Sequence, residues 1–434
     1  MTSDKNSVEA FVWIWLPEET EPVVAGRLFK DAGDVAFSFS YGRSYLGRKN
    51  AIAIFEPELP LKVGNQSPLE GMLMPGAIKD GGPDAWGKRV IINRRFGTRR
   101  DEIDIDSLDE LPYLLASGSD RAGALDFQAS PTRYEPREAV AATLDELQNA
   151  ADLIQMGKPL PPALDRVIFH GSSIGGARPK ALIEQAGVKY IAKFSAQSDV
   201  FNVVKGEYIA MRLAELAGLN VARVRLLKAA GRDVLLVERF DRYRTAEGWA
   251  RRSMVSGLTL LGLDEMMGRY ASYEDLCNVI RARFGEPRTM LKELFGRLVL
   301  NIMTSNTDDH AKNHSAFWDG KTLLLTPAYD ICPQGRSGNE ATQAMLITGE
   351  NRMSQLRACL DAAPNFLLSE TDASKIIAFQ FDIVRSSWKK LVKETGLSEV
   401  EENQMWRRQI LNPFIFEGLP APLAEHVASG LGTV

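Results

Sequence analysis

Asn306-Thr-Asp-Asp-His-Ala-Lys-Asn-His314 brings two carboxylates, two imidazoles, an ammonium and two amides within nine positions of a 434-residue chain. A core cannot satisfy such a set cheaply. A loop that merely caps a helix seldom concentrates so many kinds of ionisable group, so the stretch reads as a functional site. It comes after an apolar helix: Leu291, Leu294, Phe295, Leu298 and Ile302 share one face of a segment that begins just after Pro287, and the polarity changes abruptly at Ser305.

Asp308 and Asn313 stand five positions apart. A protein-kinase catalytic loop uses this offset between its catalytic Asp and its metal-binding Asn. Downstream, the strand-like Lys321-Thr-Leu-Leu-Leu325 leads into Thr326-Pro-Ala-Tyr-Asp-Ile-Cys-Pro333, with a lone carboxylate, Asp330, where a kinase holds the Asp that grips magnesium. Alone, Asp330 reads equally well as a turn residue before a proline. Its position after the first loop is what raises it.

Upstream, His170-Gly-Ser-Ser-Ile-Gly-Gly-Ala-Arg-Pro-Lys180 is a Gly/Ser loop whose small residues would let backbone N–H groups approach a phosphate, with the hydroxyls of Ser172 and Ser173 facing it too. It fits neither common nucleotide-loop pattern and by itself reads as a turn. The elements downstream of the loop give it value. Lys180–Glu184 and Lys189–Phe194 form a hairpin turning through Gln185-Ala-Gly187. Lys193 on its second strand and Glu207, early in a helix over Glu207–Ala217 closed by Gly218, match the Lys and Glu that a kinase pairs to orient phosphates. A second hairpin, Val221–Leu227 and Asp233–Glu238, ends in a hinge whose backbone from Glu238 to Phe240 is expected to bond adenine.

The rest of the chain frames this centre. Short apolar runs such as Phe11–Trp15 and Ala36–Ser40 predict small strands, and Asp84 is a candidate N-cap for a short helix. A segment of helical composition at Ala139–Ile154 and amphipathic segments at Gln355–Asp361, Ala373–Leu391 and Val400–Leu411 predict helices. The fold class is α+β, a protein-kinase-like two-lobed fold. It divides into a β-rich N-terminal subdomain over 1–130, a small lobe over 131–250 and a mostly α-helical catalytic lobe over 251–434.

Composition excludes other classes. Cys277, Cys332 and Cys359 are odd in number and show no CxxC spacing, which argues against a disulfide framework or structural zinc. No secretory leader opens the chain, and no apolar run approaches the ~18 residues of a membrane helix, so a cytoplasmic protein without a membrane partner is expected. With 52 basic against 56 acidic side chains the net charge is -4, which removes the simplest electrostatic case for a dedicated DNA binder. The basic pairs Arg94-Arg95 and Arg99-Arg100, and Lys389, Lys390 and Lys393, read as solvated helix faces.

Taken together, Ser-Ser-Ile-Gly-Gly-Ala-Arg-Pro-Lys180, Val-Glu-Arg-Phe-Asp-Arg242, Thr-Asp-Asp-His-Ala-Lys-Asn313 and Pro-Ala-Tyr-Asp330 resemble the HipA family of serine/threonine-protein kinase toxins. Tyr41-Gly-Arg-Ser-Tyr-Leu46 and Gly82-Pro-Asp-Ala-Trp-Gly87 resemble that family's N-terminal subdomain, so the match runs nearly the whole length. The resemblance implies an ATP- and Mg²⁺-dependent toxin kinase of a type II toxin–antitoxin pair. Asp308 would be the base, with Asn313 and Asp330 holding Mg²⁺. ATP would meet Ser173, Ile174, Gly175, Gly176, Ala177 and Lys180 of the loop, then Lys193, which Glu207 orients. The hinge residues Glu238, Arg239 and Phe240 would come next, and His310, Lys312, Asn313, Tyr329 and Asp330 would complete the site.

The same resemblance implies autophosphorylation of Ser173, with Ser172 as the neighbouring alternative. A phosphate of about -1.5 to -2 charge there would repel ATP. It further implies a small helix-turn-helix antitoxin, contact with operator DNA through that antitoxin, and a protein target such as glutamyl-tRNA synthetase or another aminoacyl-tRNA synthetase, whose inactivation gives growth arrest and persistence. Like the family, the chain lacks HRD and DFG motifs. Two other readings stay open: a small-molecule or lipid kinase of the same fold, and a catalytically degenerate corepressor.

Overall fold

A computed structural model of the chain describes residues 8–96, 109–138, 142–161, 164, 171–173, 175–196, 199, 201–336 and 338–431. Ile174 and the pair Arg99-Arg100 lie outside them. Contacts sort the described residues into two compact units. One takes those of Met1–Gln197, Lys228–Val255 and Phe317–Lys321; the other takes those of Ser198–Leu227, Ser256–Ala316 and Thr322–Val434.

The first unit holds two small sheets. On β1 (Val8–Ile14), Ala10, Val12 and Ile14 are fully buried, the period-two pattern of a strand with one face on a core. It pairs antiparallel with β2 (Val23–Lys30) and β4 (Leu125–Gln128), and β3 (Ser38–Tyr41) joins β2, giving the order β3–β2–β1–β4. The second sheet has the order β5–β6–β8–β7; β5 (Lys180–Gln185), β6 (Val188–Phe194) and β8 (Arg232–Glu238) belong to this unit, while β7 (Val224–Ala229) belongs to the second unit as far as Leu227. Both expected hairpins form. Their turns put two consecutive residues at positive φ, Ala186 and Gly187 in one, Ala230 and Gly231 in the other. That backbone matches the right-handed twist of paired strands. Between the sheets in sequence, Thr143 caps the helix Leu144–Gln155 in a reciprocal bond pair with Glu146.

The second unit is helical. Pro287 occupies the first position of the helix Pro287–Met303, and the apolar face read from the sequence is buried throughout. The 26-residue helix Glu370–Thr395 packs against it, with Gln380 Nε2 donating to the Gly296 carbonyl at 3.0 Å. A Cβ at Gly296 would lie 2.7 Å from Leu219 Cδ2, so the approach needs glycine. The helix Val203–Leu216 starts four residues before the expected Glu207, because the Asn202 side chain accepts the Lys205 N–H and caps it there. The segment expected to be helical to Leu411 stops at Met405. Trp406 leaves the helix to stack on Trp388 at 5.0 Å, and Arg407 turns through φ 63. Among the described residues no helix is long and apolar enough to cross a membrane.

Candidate active site

Ser305, at φ 53, turns the chain out of the helix Pro287–Met303. The loop beyond it is pinned at its start. Asn306 N–H donates to the Asn301 carbonyl at 2.8 Å and its side-chain amide to Asn301 Oδ1 at 3.1 Å, while Gln343 Nε2 donates to the Asn306 carbonyl at 3.0 Å. Its far end is one short 3-10 turn, Ala311–Asn313, in which Asn313 N–H donates to the His310 carbonyl at 2.8 Å.

The two adjacent carboxylates have opposite surroundings. Asp309 is 1% exposed; its Oδ1 lies 3.0 Å from His314 Nε2, and its Oδ2 accepts the Tyr273 hydroxyl. Burial alone would raise its pKa, but the His314 imidazole and the hydrogen bonds of His314, Tyr273 and Asn301 outweigh it and hold Asp309 below the usual carboxylate range. Tyr273 is pushed well above its ordinary value by burial and by the charge of Asp309. Asp308 is exposed. Its carboxyl is nevertheless raised, first by partial withdrawal from water and then by the charges of Asp330 and Asp309, against the opposing pull of His310. Asp309 is therefore a structural pin, and Asp308 is the carboxylate left exposed.

Asp330 enters from the second stretch. Ala328 N–H donates to the Asn220 carbonyl at 2.8 Å and Ala222 N–H to the Ala328 carbonyl at 2.9 Å, which fixes the backbone just before it. Tyr329 donates its hydroxyl to the Lys312 carbonyl at 2.7 Å, tying this stretch to the turn Ala311–Asn313. Asp330 itself sits at φ 59, a conformation that costs free energy and that tends to collect at functional sites. The carboxylate of Asp330 and the amide oxygen of Asn313 are hard donors of the type Mg²⁺ takes. Asp308 is raised first by burial, and Asp330 and Asp309 add negative charge there that His310 opposes and that a cation at these donors would offset. Lys312 ion-pairs with Glu265 at 2.8 Å. Glu207 is buried on the helix Val203–Leu216.

In the first unit, Lys180 and Lys193 are cross-strand partners on β5 and β6. Two cations directly opposite one another are unfavourable unless an anion joins them. Lys180 is buried and donates to the Gly175 carbonyl of its own loop. Ser172 and Ser173 are each 2% exposed. Ser172 Oγ accepts the Gly118 N–H at 3.0 Å, and Ser173 Oγ donates to the Asp120 carbonyl at 2.9 Å. Ala177 is exposed, beside the turn that Gly176 makes at φ 97.

At the end of β8, where the hinge is expected, Glu238 pairs with Tyr190 across the β6–β8 ladder. The Arg239 N–H already donates to the Lys189 carbonyl at 2.9 Å. Its guanidinium is buried between Asp120 Oδ1 at 2.9 Å and Asp241 Oδ2 at 2.8 Å, and Arg242 grips the same two carboxylates. Burial would raise Asp120, but Arg239, Arg242, Lys189 and Arg251 hold it well below the usual range; Asp241 is lowered to about 2 in the same way. Phe240 turns its ring edge-on to Phe317 at 5.9 Å. Sequence reasoning missed this network and the Tyr273 contact. The Asp-Asp doublet was the one signal that two carboxylates would divide their roles.

The α+β architecture and a centre carrying Asp308, Asn313 and Asp330 define a protein of the kinase-like class. Residues 172–388 match the family model of the HipA-like C-terminal domain, and residues 14–128 that of the HipA N-terminal domain. The chain belongs to the HipA family. Among curated proteins it is 27% identical over 335 residues to "Putative kinase Y4mE" of Sinorhizobium fredii, covering 71% of this chain and 74% of that one. It is also 27% identical over 266 residues to the serine/threonine-protein kinase toxin HipA of Shewanella oneidensis, covering 53% and 58%. Among solved structures, the Shewanella oneidensis complex of HipA, HipB and operator DNA contains a chain that superposes with a TM-score of 0.65 at 19% identity, over 93% of this chain and 97% of that one. The two share a fold.

Proposed function

We propose that the chain is a serine/threonine-protein kinase toxin of a type II toxin–antitoxin system, transferring the γ-phosphoryl of ATP to a hydroxyl of a protein target. One observation carries the reading: Asp308 is exposed, raised in pKa first by partial desolvation and then by the neighbouring Asp330, and five positions from Asn313. In this reading Asp308 orients the substrate hydroxyl and takes its proton as the oxygen bonds to the γ-phosphorus and ADP leaves. Asn313 and Asp330 would hold Mg²⁺, which supplies charge neutralisation for the phosphates when bound. Lys193, with Lys180 opposite, would meet the phosphates, and Glu207 would orient Lys193. The Gly/Ser loop would cover the nucleotide, and the hinge backbone at Glu238–Phe240 would receive adenine. His310, Lys312 and Tyr329 would complete the pocket wall.

The regions 1–130, 131–250 and 251–434 then act as N-terminal subdomain, small lobe and catalytic lobe. Autophosphorylation would fall on Ser173, or on Ser172, once the loop exposes its hydroxyl. The partner would be a small helix-turn-helix antitoxin, through which operator DNA is reached. The target would be an aminoacyl-tRNA synthetase, glutamyl-tRNA synthetase being one such enzyme, and its loss would arrest growth. Incubating the protein with ATP and bacterial lysate, then mapping new phosphosites against an Asp308→Asn control, tests the proposal. New phosphoserine or phosphothreonine on a synthetase is expected. Turnover of ATP with no labelled protein would favour a small-molecule substrate instead.

A further inference from the structure

The loop from Gly171 to Lys180 is fastened to two segments far away in sequence, and one of the fastenings is a carboxylate. Asp84 Oδ2 accepts the Gly176 N–H at 2.8 Å, and the Trp86 N–H donates to the Gly176 carbonyl at 3.1 Å. Both polar groups of one residue at the loop's tip are thus taken by the segment Gly82–Gly87. Trp86 Nε1 also donates to the Lys180 carbonyl at 3.0 Å, closing the base of the loop. The approach is close enough to need glycine on both sides. A Cβ at Gly175 would lie 2.7 Å from Asp84 Oδ2, and one at Gly87 would lie 2.7 Å from the Ser172 carbonyl oxygen. Gly176 itself sits at φ 97, where a side chain would be strained.

Glycine-rich loops are the most mobile backbone available, and ordering one on binding a ligand weakens that binding. We propose that Asp84 is a positioning residue: it holds the Gly175–Gly176 tip of the nucleotide loop in place, so that nucleotide affinity in the β5–β8 sheet depends on the N-terminal segment. This rests on the nucleotide reading of the loop under the proposed function. Asp84 does not touch the reacting atoms. It acts through the Gly176 amide, and its loss changes how ordered the loop is before ATP arrives rather than the chemistry afterwards.

Full-length Asp84→Ala and Asp84→Asn variants test this by two readouts. In nucleotide-free protein, hydrogen–deuterium exchange of peptides spanning 171–180 should speed up about tenfold in Asp84→Ala, with exchange in β6 and β8 and the melting temperature unchanged. In phosphoryl transfer, its KM for ATP should rise about tenfold while kcat stays within twofold. Asp84→Asn keeps an acceptor oxygen and should lie within about threefold of wild type on both. Unchanged exchange in Asp84→Ala overturns the clamp. Faster exchange with an unchanged KM overturns its link to nucleotide, and a KM that falls would mean that Asp84 competes with phosphate. Equal losses in both variants with a lower melting temperature would reduce Asp84 to a structural residue. A wild-type chain that binds no ATP defeats the nucleotide reading, and with it the nucleotide half of this proposal, while the exchange arm still decides whether Asp84 holds the loop.

Discussion

Asn313 Nδ2 donates to the backbone carbonyl of Asp308 at 3.1 Å, closing the loop between two residues five positions apart. The contact is to the main chain of Asp308, so the Asp308 carboxylate keeps its freedom to engage a substrate while its Cα is fixed. The amide nitrogen of Asn313 is spent on this bond, which turns the amide oxygen toward other partners. One side chain thereby positions the proposed base and offers a donor for a metal.

Asp308→Asn should fold with an unchanged melting temperature and bind ATP as the wild type does, because Asp308 is exposed and its structural bond runs through the backbone. Phosphoryl transfer should fall by a factor of about 10²–10⁴, the range for loss of a general base. Wild-type autophosphorylation in this variant would remove Asp308 from the mechanism.

The acid limb of the pH–rate profile should lie above the ordinary Asp value of about 3.9. The folded pKa of Asp308 is raised by partial desolvation and by Asp330. A base must be ionised, so activity is present above that raised value and is lost as pH falls through it. Asp330→Asn removes a charge that raises Asp308, and the Asp308 carboxyl resonance followed by NMR should then titrate at lower pH than in wild type. No movement would mean that the two carboxylates do not sense one another.

Tyr273→Phe should destabilise the second unit by about 1–3 kcal/mol, since it leaves the buried Asp309 one donor short. The folded pKa of Asp309 is depressed below its unfolded value. Its contribution to stability is therefore present above the unfolded pKa and is lost as pH falls through the folded one. The stability gap between wild type and Asp309→Asn, read by denaturant unfolding, should narrow as the solution is taken below about pH 4. A gap that stays constant down to about pH 2 would contradict the pin.

Arg239→Ala should cost about 1.5–3 kcal/mol, because it removes charge-assisted hydrogen bonds to Asp120 and Asp241 and leaves Arg242 to hold both carboxylates. Arg244→Ala, which breaks an exposed pair with Glu184, should cost about 0–1 kcal/mol. Urea unfolding of the two variants side by side gives the comparison, and equal midpoints would show that the hinge network carries no special weight.

The local elements were readable because local chemistry dictates them. Pro287 and the apolar face behind it mark one helix, and Gly187 and Gly231 mark two hairpin turns. Boundaries were less readable. The helix at Val203 begins early because Asn202 caps it, and the one ending at Met405 stops because Trp406 finds Trp388. Those outcomes depend on a side-chain bond and on a partner 18 positions earlier in the chain, neither of which periodicity contains.

The sequence by itself determined the order of the chemistry: Gly/Ser loop, Lys193, Glu207, hinge, Asp308 with Asn313, and Asp330. It could do so because spacing along a chain is a covalent fact. Only the tertiary structure decided which of two neighbouring carboxylates is buried against Tyr273 and His314 and which is left exposed. It also decided that Arg239, expected among the ATP contacts, has its guanidinium in a buried ion network and its N–H on Lys189. Burial and charge pairing are properties of the surroundings, and those draw on residues that spacing does not connect, such as Tyr273, 36 positions before Asp309, and Asp120, 119 positions before Arg239.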